Sequence, residues 1–123
     1  MLFRSDVIKD FKEFLKHHNG KEEVISSFDE FGNVSKLDDA SIMLGICHTN
    51  FDKDIMDIFP IEHLLKNCEN LHRHFREKYN DVNVNLVGRY FNDAYYNGHA
   101  WIICSLALAQ FYNYIHTKDY FFL

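Results

Sequence analysis

From Trp101 to Ile115 the chain carries apolar side chains on every side of any helix it could form. Trp101, Ile102, Ile103, Cys104, Leu106, Ala107, Leu108, Phe111, Tyr112, Tyr114 and Ile115 cover the whole circumference. A helix that is hydrophobic all round belongs inside a larger structure. Each large side chain left bare forgoes roughly 1.5–3 kcal/mol of burial, and a fold stable by about 5–15 kcal/mol cannot forgo many. A chain of 123 residues makes at most one domain. Its other short helices can cover only about half of such a cylinder. The sequence therefore predicts a helix that needs a partner surface or more of a fold around it. Leu106 is expected in the core, so that Leu106→Asp would unfold the chain by placing an unpaired charge among apolar groups. The apolar tail Tyr120, Phe121, Phe122 and Leu123 points the same way.

With that helix included, the chain reads as all-α, about four helices, with little or no sheet. Phe3, Val7, Ile8, Phe11, Phe14 and Leu15 recur at helical spacing, with Ser5 as cap and Gly20 as stop. Val24 to Phe28 is a strand-like patch, followed by a turn-rich segment from Asp29 to Lys36. Asp38 or Asp39 can cap a short apolar helix through Ala40, Met43, Leu44 and Cys47, and Asn50 to Asp57 reads as an acidic loop. Pro60 suits the start of the next helix. There Ile61, Leu64, Leu65, Cys68, Leu71, Phe75 and Tyr79 form one stripe, with Lys66, Asn67, Arg73 and Glu77 facing away. The last helix is expected to begin near Asn97 to Ala100 and to run to about His116.

Composition removes several function classes. The formal net charge of -5 supplies no basic stripe for phosphates, so nucleic acid is not an expected partner. No apolar run reaches the ~18 residues needed to span a bilayer, and the charged N-terminus lacks a secretory pattern. No membrane partner and a cytoplasmic location are expected. Cys47, Cys68 and Cys104 have no metal-type spacing and read as buried free thiols. His17 with His18, and His72 with His74, diverge on a helix, and no HExxH pattern occurs, so neither metal nor cofactor is expected. Ser41, Ser105 and Cys104 sit in no nucleophile elbow.

The segment before the last helix, VGRYFNDAYYNGHAW, is polar and rich in aromatics. It holds one arginine, Arg89, one acid, Asp93, and the tyrosines Tyr90, Tyr95 and Tyr96. Guanidinium and carboxylate groups bond hydroxyls in fixed geometry, and aromatic faces cover the C–H side of a pyranose. The loop suits a sugar, although Arg89 and Asp93 could equally form an ion pair that only fixes the loop. Arg89 is expected at an exposed position where truncation costs little stability.

These residues, followed by IICSLALAQFYNYI, are similar to the arginine-tyrosine loop and succeeding helix of glucoamylases, glycoside hydrolase family 15. DDASIMLGICHTNFD, from Asp38 to Asp52, resembles the family's short helix ending in Gly-x-x-His-Thr, and FKEFLKHHNGKEEVISSFDEFG resembles the segment before it. The resemblance runs from about Ile8 to Ile115. It implies a segment of an (α/α)6 toroid of the six-hairpin glycosidase type, with residues 1–123 forming part of the catalytic domain. It implies an inverting exo-glucosidase lineage acting on α-glucan ends, so an α-glucan or oligosaccharide is the implied ligand. By this resemblance Arg89 bonds sugar hydroxyls, Asp93 holds the guanidinium or the loop, and Tyr95 and Trp101 line or support the subsites. His48 matches a family histidine and reads as structural. The chain departs from the family at Phe91, Asn92, His99 and Ala100, where proline, glutamate, asparagine and proline are common.

Inverting hydrolysis needs two carboxyl groups about 6.5–9.5 Å apart, one as acid and one activating water. The family's acid lies in a Trp-Glu-Glu loop upstream of the matched segment and its base near a later helix downstream. Neither motif occurs here. Glu22 and Glu23 follow Gly20-Lys21 without a tryptophan nearby and read as a solvated turn. No catalytic residue is assigned, and the chain alone is expected to lack hydrolytic activity. Its expected partners are the remaining part of a split enzyme or a second copy of itself. The rival reading is a small α-helical, self-associating interaction protein without carbohydrate activity. A third is an independent enzyme using other carboxylates.

Overall fold

The computed structural model describes residues 24–118 and, before them, residues 5–7, 9, 10, 12 and 13. The early residues are helical. Ser5, expected as its cap, is itself helical, and Val7, expected on its apolar face, is 50% exposed. Phe3, Ile8, Phe11, Phe14, Leu15, His17, His18, Gly20, Glu22, Glu23 and the tail from Tyr120 to Leu123 lie outside the described residues.

The strand-like patch forms a small hairpin, β1 (Ser27–Phe28) antiparallel to β2 (Val34–Lys36). Its turn is made by one carboxylate. Asp29 accepts hydrogen bonds from the Phe31 and Asn33 backbone N–H groups at 2.9 and 2.8 Å, and Gly32 supplies the left-handed φ of 82° that closes it.

Helix α1 (Ser41–His48) follows at once. Asp39 accepts from the Ser41 N–H at 2.9 Å, so the expected acid satisfies the helix start from just outside it. Asn50 and Phe51 then turn the chain through left-handed backbone, and the Phe51 ring stacks on Tyr114 at 4.4 Å. The segment read as a loop contains a short helix, α2 (Lys53–Met56). Its cap is Asp52, which accepts from the Asp54 N–H at 3.0 Å. A single turn has too few residues to show a period, which is why the pattern missed it.

Helix α3 (Ile61–Tyr79) runs as the stripe requires, from Pro60 to a left-handed Asn80 with φ 51°. Leu64, Cys68, Leu71 and Phe75 are buried. One residue of the stripe's expected outer face is also inside. Asn67 is 1% exposed. Its amide accepts from the Val24 N–H and donates to the Val24 carbonyl, each at 2.9 Å, and donates to Asp38 at 3.0 Å. A buried backbone segment needs partners for both polar groups, and Asn67 supplies them for Val24.

The last helix, α4 (Ile102–Thr117), starts later than expected. Residues Tyr95–Gly98 form a short 3-10 turn in which Tyr96 and Asn97 adopt left-handed backbone, and that turn ends before α4 begins. Cys104, Ala107, Leu108, Phe111 and Ile115 are buried in the core shared with α1 and α3. The opposite side of α4 is bare: Ile102 is 81%, Ile103 57% and Leu106 59% exposed. The all-round apolar helix thus buries one face, and Leu106 is not core. All three cysteines are free, and Cys68 and Cys104 are buried. Among the described residues no helix is long and apolar enough to cross a membrane.

Two substitutions test this arrangement by urea unfolding. Asn67→Ala strands both polar groups of Val24 and should cost about 3 kcal/mol. Leu106→Asp places its charge in solvent and should stay within about 1 kcal/mol of the parent. A large loss from Leu106→Asp would mean that this face is covered.

Candidate functional site

The loop from Val87 to Trp101 is held at both ends before any side chain could meet a ligand. Trp101 donates its backbone N–H to the Val87 carbonyl at 2.9 Å, and the Ser105 hydroxyl accepts from the Val87 N–H at 3.0 Å. Ala40 donates to the Arg89 carbonyl at 2.7 Å, which ties the loop to the start of α1. Gly88 lies so close to its neighbours that a Cβ there would sit 2.6 Å from the Phe75 ring and 2.7 Å from the His99 carbonyl oxygen. The end of α3 holds the far side. The Tyr79 hydroxyl accepts from the Ala100 N–H at 2.8 Å, and Lys78 donates to the Asn97 carbonyl at 2.9 Å.

Within this frame Arg89 and Asp93 form a two-point pair. Nε donates to one carboxylate oxygen at 2.7 Å and Nη2 to the other at 2.6 Å. The Asp93 side chain is 1% exposed, whereas that of Arg89 is 34% exposed. The carboxylate therefore looks inward and the guanidinium outward. Asp93 also accepts from the Tyr95 N–H at 3.0 Å, which starts the 3-10 turn. The turn closes over Asp93 through Gly98, whose φ is 64° and where any Cβ would collide with the Asp93 carbonyl oxygen. The Arg89 hydrogen bonds, helped by the Tyr95 N–H, lower the Asp93 pKa from 3.8 to about 2 against the opposing effect of burial. The same pairing raises that of Arg89.

Three aromatic rings surround the guanidinium. Its central carbon lies 4.9 Å from the Tyr95 ring centre, 5.2 Å from Trp101 and 5.3 Å from Tyr90. Tyr95 is 52% exposed, while Trp101 is half-buried. The structure thus brings Arg89, Asp93, Tyr95 and Trp101 into one cluster. Arg89, Tyr90 and Trp101 also border a cleft of about 280 Å³ whose floor is Ala40, Leu44 and Cys104. Tyr90 stands on its rim beside Lys36, which the sequence did not single out. Lys36 is far away in the chain, so no local pattern could announce it. The expectation that Arg89 is a dispensable exposed residue needs correction. Its own side chain is partly open, but the carboxylate it neutralises is buried, and truncation would leave that carboxylate unpaired.

His48, His72 and His74 lie outside this cluster. His48 is exposed at the end of α1. His72 stacks on Tyr112 at 5.7 Å, and burial lowers its pKa. His74 meets the edge of Phe91 at 4.6 Å. Burial raises the thiol pKa of all three cysteines. Among the described residues no group of three or more His, Cys, Asp or Glu side chains is placed to hold a metal ion.

The chain is 29% identical over 112 residues to an uncharacterized glycosyl hydrolase of Methanocaldococcus jannaschii. That alignment covers 89% of this chain and 17% of the relative, so the chain spans a small part of the relative's length. No family model matches the chain, and no solved structure matches it. The similarity is glycoside hydrolase-like and does not single out the glucoamylases.

The clamp has a pH signature. The folded pKa of Asp93 lies below its ordinary value, so the pairing contributes fully above about 3.8 and is lost as pH falls through about 2. The Tyr95 amide resonance should therefore hold from neutral pH to about 4 and move only toward pH 2. A midpoint at the ordinary carboxylate value would show that no such clamp exists.

Proposed function

We propose that this chain forms part of the sugar-contacting wall of a glucoamylase-type glycoside hydrolase fold and binds α-glucan ends without cleaving them itself. The Arg89 cluster carries this reading. A guanidinium locked by a buried carboxylate has a fixed direction, and its remaining N–H groups can meet paired hydroxyls without ordering cost. The rings of Tyr95 and Trp101 beside it offer apolar surface to the C–H side of a sugar. The glycosyl hydrolase relationship of the chain supports the same class of ligand. The (α/α)6 toroid belongs to this proposal. In it, α1 and α4 are neighbouring helices of the ring, and the bare side of α4 at Ile102, Ile103 and Leu106 meets the next part of the fold. The carboxylates for hydrolysis come from that other part.

Titration calorimetry with maltose, beside an assay for released glucose, tests the reading. Maltose should bind, and Trp101→Ala should weaken it by at least about tenfold, equivalent to about 1.4 kcal/mol. No glucose should appear. Glucose release abolished by changing one of the chain's own acids would contradict the proposal.

The exposed side of α4 also favours a second reading, a small self-associating helical protein. A stable dimer in sedimentation, broken by Leu106→Asp and indifferent to maltose, would decide for it.

A further inference from the structure

Two cations border the cleft of about 280 Å³, and only one of them is paired. Arg89 gives Nε and Nη2 to Asp93, and its remaining N–H donors lie on the outward side. Lys36 reaches the same cleft from the end of β2. Its ammonium lies 3.9 Å from the centre of the Tyr90 ring, and the Arg89 guanidinium carbon lies 5.3 Å from that centre. The two positive groups are therefore no farther apart than those distances laid end to end. Among the described residues Lys36 makes no ion pair, and its charge meets only the face of Tyr90.

The acids nearby are engaged elsewhere. Asp93 is turned inward on Arg89. Asp38 accepts from the side-chain amides of Asn67 and Asn70. Asp39, the one acid among the residues lining the cleft, is buried and accepts from the Ser41 N–H at 2.9 Å. A neutral sugar on Tyr95 and Trp101 would leave the Lys36 ammonium in water or cover it without a partner, and a charge buried unpaired is costly. An oxyanion supplies the partner, accepting from the ammonium and from the open N–H groups of Arg89. Two positive groups match the charge of a phosphate better than that of a single carboxylate. The apolar floor at Ala40, Leu44 and Cys104 lowers the local dielectric and strengthens the attraction.

We infer that the cleft receives a phosphate group between Lys36 and Arg89, either free or carried by a sugar. The inference stands on the two cations and not on the proposed binding of neutral glucan. Titration calorimetry of the full chain at low ionic strength with glucose 6-phosphate, inorganic phosphate and glucose tests it. Glucose 6-phosphate is expected to bind at least about tenfold tighter than glucose, and added salt should shrink that gap. Lys36→Met is expected to remove the gap and Lys36→Arg to keep it. The melting midpoint of Lys36→Met should match the parent's, since the side chain is not in the core. Inorganic phosphate bound as tightly as glucose 6-phosphate would support the site with the free anion as its occupant, and weaker binding would support it with the sugar phosphate. Equal affinity for glucose and glucose 6-phosphate, a gap untouched by Lys36→Met, or no binding of either phosphate would overturn the inference. Phosphate binding without maltose binding would uphold it and overturn the glucan reading, whereas maltose binding without a preference for phosphate would do the reverse.

Discussion

Folding takes the carboxylate of Asp93 out of water, and a buried charge must be paired. That requirement organises the loop. Arg89 meets both oxygens, the Tyr95 N–H meets one of them again, and the chain then folds back over the acid at Gly98, where only a glycine fits. The consequence for chemistry lies on the other side of the pair. Asp93 fixes the guanidinium from within, so Arg89 faces outward with little freedom, flanked by Tyr95, Trp101 and Tyr90. For the proposed sugar site, this means a cation among aromatic rings whose ordering cost was met on folding.

The loop could not hold this shape without the helices beneath it. Phe75 and Gly88 are in such close approach that α3 sets the height of the loop, while Tyr79 and Lys78 at the end of the same helix grip residues 97–100. Asn67, nearer its start, ties in Val24 and the segment leading to Asp39, whose neighbour Ala40 bonds the Arg89 carbonyl. One helix therefore connects the hairpin, the start of α1 and the Arg89 loop. The core of α1, α3 and α4 stabilises that connection and leaves Ile102, Ile103 and Leu106 of α4 uncovered.

Much of this was legible in the sequence because it follows a period. The stripe of α3 and its boundaries at Pro60 and Asn80 are readable by spacing and turn chemistry. The residues of the site cluster were readable by type and by resemblance. Asn67 was misplaced because polarity was allowed to outweigh position. It sits three residues after Leu64 and four before Leu71, which puts it on the buried face. The start of α4 was misjudged because Asn97-Gly98 is a turn signal set against a strongly apolar run, and the turn prevails locally. Leu106 shows a different limit: its apolar surroundings along the helix are real, but what would cover it does not lie among the described residues. Lys36 reaches the site through the hairpin and the bridge between Asp39 and Tyr90, a tertiary route with no local trace.

The central claim is that the ring surfaces beside Arg89 receive a sugar. Intermolecular nuclear Overhauser effects between maltose and the aromatic protons of the chain measure this directly. The account predicts contacts from the sugar C–H protons to the Trp101 indole and the Tyr95 ring, together with a shift of the Arg89 Nε resonance. Maltose contacts confined to other rings, or none at saturating sugar, would contradict it.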